Sequence, residues 1–104
     1  GSATPQIKAL IDRAGYLSNA KGRVFENKAG GAMVVARRAG QNFTFAQLLF
    51  FILHQGMIVP GSTYWNIAFG KEKDEVSKDE EGLGTARNFG KKLVWLIRRI
   101  KSSD

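Results

Sequence analysis

The sequence predicts a doubly wound α/β fold with parallel strands, in the order helix, strand, helix, strand, helix. Two continuous apolar runs, at 31–37 and 57–60, alternate with three stretches of helical apolar spacing. A continuous apolar run is typical of a strand buried on both faces, and parallel strands need a helical crossover between them. Two strands are too few to cover three amphipathic helices, so we expect further strands to come from outside this chain.

The first predicted helix begins at Thr4 and ends at Gly15. Thr4 suits the N-cap position, and Pro5 suits the first helical position because it has no N–H to leave unpaired. A polar connection over residues 18–30 leads to the first strand. The helix has one apolar face, formed by Ile7, Leu10, Ile11 and Ala14.

The second predicted helix covers residues 43–55, with Gly56 as its C-cap. Eight of the nine residues from 45 to 53 are apolar. A helix that is apolar nearly all round is either sandwiched inside a protein or part of a subunit interface. We expect a right-handed crossover through this helix to pair residues 32–37 in parallel with residues 57–60.

The last third of the chain is predicted to hold an aromatic loop, a charged stretch and a long helix. The loop covers residues 61–70, and the stretch 71–81 is expected to be solvated and mobile. Asp79 can cap the final helix, whose acidic start and basic end match the helix dipole. The apolar stripe of this helix contains Leu83, Ala86, Phe89, Leu93, Leu96, Ile97 and Ile100.

The composition limits the possible functions. A chain of 104 residues is one domain at most. It has no cysteine, which excludes disulfides, thiolate metal sites and cysteine nucleophiles. The longest apolar run, residues 45–53, is far below the roughly 18 residues that a membrane-spanning helix needs. With no signal-peptide pattern at the N-terminus, we expect a cytoplasmic setting without membrane contact.

The formal net charge of +7 is mostly spread along the chain. Only the region from residue 87 to 101 is densely basic, and it lies on a predicted helix with an apolar opposite face. This pattern favours a solvated helix face. A nucleic-acid surface and a local anion site for a cofactor or nucleotide phosphate are the alternatives.

Four segments occur in a characteristic order over nearly the whole chain. They are GSATPQIKALIDR at 1–13, ARRAGQNF at 36–43, LHQGMIV at 53–59 and TARNFG at 85–90. Together they resemble the C-terminal part of the NADPH-dependent FMN reductase and iron–sulfur flavoprotein group of the flavodoxin-like superfamily. The chain is therefore identified as one unit, residues 1–104, equivalent to the C-terminal half of such a domain. The first two strands, the phosphate-binding loop and the cysteine cluster of the iron–sulfur branch have no counterpart in it.

The resemblance implies a site at the carboxyl ends of the strands, where such proteins bind FMN. It assigns no catalytic acid–base pair and no metal ligand, and the lone His54 is interpreted as structural. The implied cofactor-binding residues are Ser2, Ala3, Thr4, Arg37, Arg38, Ala39, Gly40, Asn42, Phe43, Tyr64 and Trp65.

Each group of these candidates also has a plainer interpretation. Thr4 can serve only as a helix cap, and Arg37 and Arg38 can be ordinary surface arginines, although arginine also suits a nucleotide phosphate. The segment from residue 37 to 43 can be a connecting turn. The aromatic pair Tyr64 and Trp65 can form an interface patch instead of stacking on a flavin.

The function implied is an FMN-dependent NAD(P)H oxidoreductase that passes electrons to a flavin, a quinone or an electron carrier. FMN binding by this chain alone should be micromolar at best or absent, because each lost charge-assisted hydrogen bond to the phosphate costs about 1.5–3 kcal/mol. A cofactor-free, oligomerising half-domain is the first alternative. A basic nucleic-acid-binding module is the second and is less favoured.

We also expect that the chain is not a monomer. A strand edge that lacks its neighbour invites pairing with another chain. A patch of Phe45, Leu49, Phe50 and Leu53 would exceed the apolar area that monomers usually expose. A homo-oligomer, either a dimer or a tetramer, is expected, with a non-covalently bound N-terminal half as the alternative.

Overall fold

The computed structural model describes residues 3–72 and 74–102. Its helices are α1 (Pro5–Ala20), α2 (Gln41–His54) and α3 (Glu80–Ser102), and a short 3₁₀ helix covers Glu75–Lys78. Its strands are β1 (Val34–Ala36) and β2 (Ile67–Phe69). The two strands pair in parallel, which confirms the predicted α/β fold class with parallel strands.

The predicted partner of β1 was wrong. β1 pairs with β2, which lies in the stretch predicted to be an aromatic loop, and not with residues 57–60. Within that segment Ile58 forms an isolated parallel bridge with Ala29. The chain from Ile58 to β2 is longer than the chain from Ala29 to β1, so the two segments leave register after the bridge, and Pro60 has no N–H to donate to a ladder. The right-handedness of the crossover stays a prediction.

α1 starts where the sequence predicts and ends later. Thr4 Oγ1 accepts a hydrogen bond from the N–H of Ile7 at 3.2 Å, and a proline follows the cap. The helix continues through Gly15, where its end was predicted. A Cβ at Gly15 would lie 3.5 Å from the Phe51 ring, so this turn of α1 rests against α2. Such contact outweighs the roughly 1 kcal/mol that glycine costs inside a helix.

α2 begins two residues earlier than predicted. Gly40 precedes it with a left-handed φ of 93°, a conformation that glycine adopts without the steric cost of a Cβ. The other end is close to the prediction, since Gln55 is the C-cap and Gly56 has a φ of 79°. The helix therefore lies between two left-handed glycines.

The described residues of the stretch 71–81 include regular structure that the sequence did not predict. It contains the 3₁₀ helix, whose Val76 packs directly over Gly70. Asp79 caps α3 as predicted, because its Oδ1 accepts the N–H of Gly82 at 3.0 Å. Charge patterning does not reveal this contact between a single valine and a glycine, and the mobility of the stretch stays a prediction.

The core is small and leaves α1 and α2 partly uncovered. The buried apolar residues are Ala3, Val34, Ala68 and Phe89. Leu10 and Tyr16 on α1 are exposed, and Phe50 on α2 is 68% exposed. Exposed rings and aliphatic side chains on two helices indicate faces that another segment would cover. Among the described residues, no helix has the length and apolar character needed to cross a membrane.

Candidate functional site

The candidate site lies where β1 and β2 end and α2 begins. Ligands of open parallel sheets bind outside the carboxyl ends of the strands. Here β1 ends at Ala36, and α2 starts after the left-handed Gly40 without a side-chain cap. The first N–H groups of a helix have no intrahelical acceptor, so an uncapped start can donate to a carbonyl or an anion.

Gln41 connects the strand ends to the start of α2. Its side chain is only 3% exposed, and Nε2 donates to the carbonyls of Ala36 at 3.5 Å and Ala68 at 3.4 Å. These long hydrogen bonds reach both strands from one amide. The predicted site set included the residues on either side of Gln41 but not Gln41 itself. A polar residue directly after a predicted glycine turn was the signal available in the sequence.

A first cleft of about 320 Å³ opens between the starts of α1 and α2, beside β1. It brings together four of the predicted site residues: Ala3, Thr4, Ala39 and Gly40. The N–H of Ala3 donates to Gln47 Oε1 at 3.0 Å, which ties Ala3, just before α1, to α2. Within residues 3–72 and 74–102, no charged side chain lines this cleft.

A second cleft, of about 380 Å³, lies on the other side of the turn before α2. It shares Ala39 and Gly40 with the first cleft and is also lined by Ile67 and Phe69 of β2. The predicted residues Arg38, Asn42 and Phe43 line it as well. The first and second clefts therefore lie on either side of this turn and share Ala39 and Gly40.

A third cleft, of about 300 Å³, continues from the second towards α3. It is lined by Asn42 and Tyr64 from the predicted set, and by Asp79 and Thr85. Besides capping α3, Asp79 accepts the N–H of Phe69 through Oδ2 at 2.9 Å. The backbone N–H groups of Gly82 and, second, Phe69 lower the pKa of the Asp79 carboxyl, because both favour its ionised form.

The remaining predicted residues lie at the margin or outside the description. Tyr64 and Trp65 pack against each other with ring centroids 5.1 Å apart, and both are about half exposed. Trp65 and the exposed Arg37 line none of the clefts described above. Ser2 lies outside the described residues. Contact of any of these residues with a cofactor stays a prediction.

His54 lies at the end of α2, away from these clefts. Its carbonyl accepts a hydrogen bond from Arg23 at 2.9 Å, and its Nδ1 lies 3.4 Å from the amide nitrogen of Gln55. In the described part of the chain, no group of three or more potential metal ligands lies together.

The first cleft fits the ring of a flavin better than its phosphate. It is lined by uncharged, mostly apolar side chains, and Gly40 at the uncapped start of α2 is one of its lining residues. A phosphate dianion needs several donors or a cation, and no charged side chain of the described residues lines this cleft. The lining therefore suits an uncharged ring rather than a phosphate.

Comparisons with known proteins point to one family. The family model for NADPH-dependent FMN reductases matches residues 1–72. An iron–sulfur flavoprotein of Methanocaldococcus jannaschii is 36% identical over 108 residues, covering 97% of this chain and 55% of that protein. One of Archaeoglobus fulgidus is 29% identical over 112 residues, covering 97% of this chain and 56% of that protein. The chain thus spans about half the length of these curated relatives. No solved structure matches it significantly.

Proposed function

Because this chain belongs to the NADPH-dependent FMN reductase family, we propose that it forms the flavin-ring side of an FMN-dependent NAD(P)H oxidoreductase. The observation that carries the proposal is the uncharged cleft beside the uncapped start of α2. When bound there, FMN would accept a hydride from NAD(P)H and pass electrons to a flavin, a quinone or an electron carrier.

The start of α2 orients and stabilises the ring. Gly40 reverses the chain after β1, so that the free N–H groups of the first helical turn face outwards from the helix end. They can donate to a ring carbonyl, and the positive end of the helix dipole stabilises negative charge that develops on a bound ring. Gln41 keeps this helix end in place against both strands.

The start of α1 forms the opposite wall of the cleft. Thr4 Oγ1 already accepts the N–H of Ile7, but its hydroxyl proton is still able to donate to a ligand. Capping and ring contact are therefore compatible roles for Thr4. Ala3, which is buried and held by Gln47, excludes water from this wall.

A second polypeptide would complete the site. The first cleft lies beside the uncovered edge of β1, where Met33 and Val35 are exposed. A segment that covers this edge would also be close enough to supply phosphate ligands. We propose that this segment comes either from another copy of the chain in a homo-oligomer or from a separate N-terminal half, equivalent to the part of the relatives that this chain does not match. The native mass of the particle distinguishes the two.

The test is a titration of the purified chain with FMN, following flavin fluorescence and particle size together. We expect binding no tighter than micromolar by the chain alone, and loss of flavin absorbance when NADPH is added without oxygen. A folded particle that binds no FMN at millimolar concentration, alone or in its oligomer, would instead support the cofactor-free half-domain.

Two matched variants separate ring binding from general stability. Gly40 and Gly22 both have a left-handed φ, of 93° and 84°. Replacing either with alanine should therefore cost about 1 kcal/mol of folding free energy. Only Gly40→Ala should also weaken FMN binding, since Gly22 lines none of the clefts. Equal FMN affinity of the two variants would place the ring elsewhere.

A further inference from the structure

A groove runs along the second half of α3, away from the candidate site. It has a volume of about 690 Å³, and all the residues that line it belong to this helix, between Gly90 and Ser102. At 1.5 Å per residue the groove is about 18 Å long, which is roughly three helical turns. We call five of its lining residues the α3 strip: Lys91, Val94, Trp95, Arg98 and Arg99.

The buried Phe89 shows which side of α3 faces the rest of the molecule. Its ring packs directly on Gly31. Leu93 and Leu96 follow at helical spacing on the same side, and both are half-buried. Arg98 comes nine residues after Phe89, which is about two and a half turns, so it lies on the opposite side. The α3 strip is therefore the outer face of the helix.

The α3 strip exposes two large apolar side chains on this outer face. Val94 is 49% exposed, and Trp95 is 57% exposed. The guanidinium carbon of Arg99 lies 5.3 Å from the centre of the Trp95 ring, within the range of a cation–π contact. Tryptophan and arginine are enriched among the residues that dominate binding at protein interfaces. This pair favours an interaction surface over the solvated helix face that the charge pattern alone favours.

Four residues of the α3 strip have the spacing of a helix-binding site. They are Lys91, Val94, Trp95 and Arg98, at positions i, i+3, i+4 and i+7. In helix pairs, four residues with this spacing surround one side chain that a facing helix inserts between them. The two apolar members lie in the middle of this set, and the two cations lie at its ends. A helix that packs here would insert an apolar side chain, with acidic side chains before and after it.

The charge of this half of α3 has one sign. Residues 82–102 contain six lysines and arginines and no acidic residue. Among the described residues, neither Lys91 nor Arg98 forms an ion pair with a carboxylate. Complementary charge across an interface selects the correct partner, and like charges exclude the wrong one. The partner surface that fits the α3 strip is therefore acidic.

A second copy of this chain does not offer such a surface. Helix α1 has one acidic residue and two cations, and α2 has no acidic residue. Two α3 strips packed against each other would set cations against cations, which opposes association. The complementary helix must therefore belong to a different protein.

The mixture of apolar and cationic side chains also distinguishes a protein partner from a membrane or a nucleic acid. A helix that lies on a membrane keeps its charges off the face that enters the lipid, whereas Lys91 and Arg98 share one face with Val94. Nucleic-acid phosphates would pair with the cations but would give Val94 no apolar contact. An acidic amphipathic helix satisfies both kinds of side chain.

We propose that the α3 strip is the docking site for an acidic amphipathic helix of another protein. An apolar side chain of that helix packs between Val94 and Trp95, and carboxylates on either side of it pair with Lys91 and Arg98. Arginine can hold a carboxylate through two parallel hydrogen bonds. The inference goes beyond the proposed function and does not depend on it, because the α3 strip lines none of the three clefts of the candidate site.

The first test titrates a fluorescein-labelled synthetic peptide with the purified chain and follows the anisotropy of the label. The peptide has leucine at the a and d positions of its heptads and glutamate at the e and g positions, so that its own copies repel each other. We expect it to bind at least about tenfold tighter than a peptide of the same composition in scrambled order. The same peptide with lysine in place of glutamate should not bind. Equal binding of the ordered and scrambled peptides, or no binding, would overturn the proposal.

Matched variants test whether the peptide binds at the α3 strip. Trp95→Ala should weaken binding at least about tenfold, whereas Trp65→Ala should not, although Trp65 is 51% exposed against 57% for Trp95. Arg98→Gln should also weaken binding. Lys92→Gln is its control, because Lys92 is an exposed cation of the same helix that does not line the groove. All four residues are exposed, so the melting temperature should stay unchanged. Equal effects of the strip variants and their controls would overturn the proposal.

A charge reversal tests direct pairing with carboxylates. The double variant Lys91→Glu and Arg98→Glu should lose the glutamate peptide and bind the lysine peptide instead, a gain that unfolding cannot produce. A folded double variant that still prefers the glutamate peptide would overturn the proposal. Duplex DNA or phosphatidylserine vesicles that displace the peptide, and that bind Trp95→Ala as well as the original chain, would assign the surface to a nucleic acid or a membrane instead.

Discussion

The two outer edges of the two-stranded sheet differ in the hydrogen-bond partners of their backbone groups. At the outer edge of β2, the N–H of Phe69 donates to Asp79, and the N–H of Ile67 donates to the carbonyl of Trp65 at 2.8 Å. At the outer edge of β1, the N–H and C=O groups of Val35 point away from β2, because Val34 and Ala36 form the hydrogen bonds to the β2 side. Among the described residues, no further strand pairs with this edge.

The difference distinguishes a side of the molecule whose elements are tied together from a side that we propose a partner covers. The β2 side is anchored to α3 by Asp79 and by the hydroxyl contacts around Thr85. The β1 side has an open edge, with exposed apolar side chains on it and on α1. The proposed ring cleft lies on the open side.

The largest expected effect concerns the open edge. We expect the native mass to exceed the 11.5 kDa of one chain. Val35→Asp should reduce that mass to the single-chain value, since an unpaired charge buried in an interface costs several kcal/mol. Val94→Asp is the matched control, because Val35 and Val94 are both 49% exposed. Light scattering at micromolar concentration checks both. A single-chain mass for the original protein would contradict the prediction.

Phe50→Asp asks whether α2 is part of the same interface. Because Phe50 is strongly exposed, the substitution should leave an isolated chain folded and act mainly on assembly. We expect a loss of association comparable to that of Val35→Asp. If the variant keeps its mass and melting temperature, α2 does not lie where subunits meet.

The closed side should be sensitive to packing. Phe89 of α3 lies directly on Gly31, and a Cβ there would overlap its ring. Gly31→Ala should therefore destabilise the fold by about 1–3 kcal/mol, as overpacking does in cores. Gly61→Ala, where a Cβ meets nothing within 4 Å, is the control. Urea unfolding measures both, and equal midpoints would mean that Phe89 moves aside without cost.

Gln41→Ala should have a smaller effect on both stability and the site. It removes the buried amide that reaches both strand ends, at an expected cost of about 1–2 kcal/mol in unfolding free energy. FMN affinity should fall as well, because the start of α2 loses its tie to the sheet. A variant that is destabilised but binds FMN normally would show that Gln41 contributes to folding and not to FMN binding.

The smallest expected effect concerns Asp79. Because its pKa is lowered in the folded state, its contribution to stability is complete above the ordinary value of 3.8 and is lost as pH falls through the lower folded value. Asp79→Asn should lower the melting temperature slightly at pH 7 and flatten the decline in stability below pH 3.8. Melting curves across this range check the sign. An unchanged acid profile would show that another carboxylate controls it.

The fold class, the start of α1, the end of α2 and the start of α3 could be predicted from local sequence. Thr4, Asp79 and Gly56 act within a few residues of their own positions, so their roles follow from local chemistry. The site at the carboxyl ends of the strands, where parallel α/β units place their loops, stays a prediction. Family resemblance added the identity of the cofactor, which no residue pattern in this chain specifies.

Only the tertiary structure decided which segments pair and which polar groups are buried. Residues 57–60 are the more apolar candidate strand, yet β2 is the strand that pairs with β1, and Pro60 has no N–H to donate to a ladder. Gln41 is an ordinary polar residue in sequence, and its role depends on the carbonyl of Ala68 in a distant strand as well as that of Ala36 nearby. Strand pairing and burial depend on contacts between segments far apart in the chain, whereas helix caps depend on immediate neighbours.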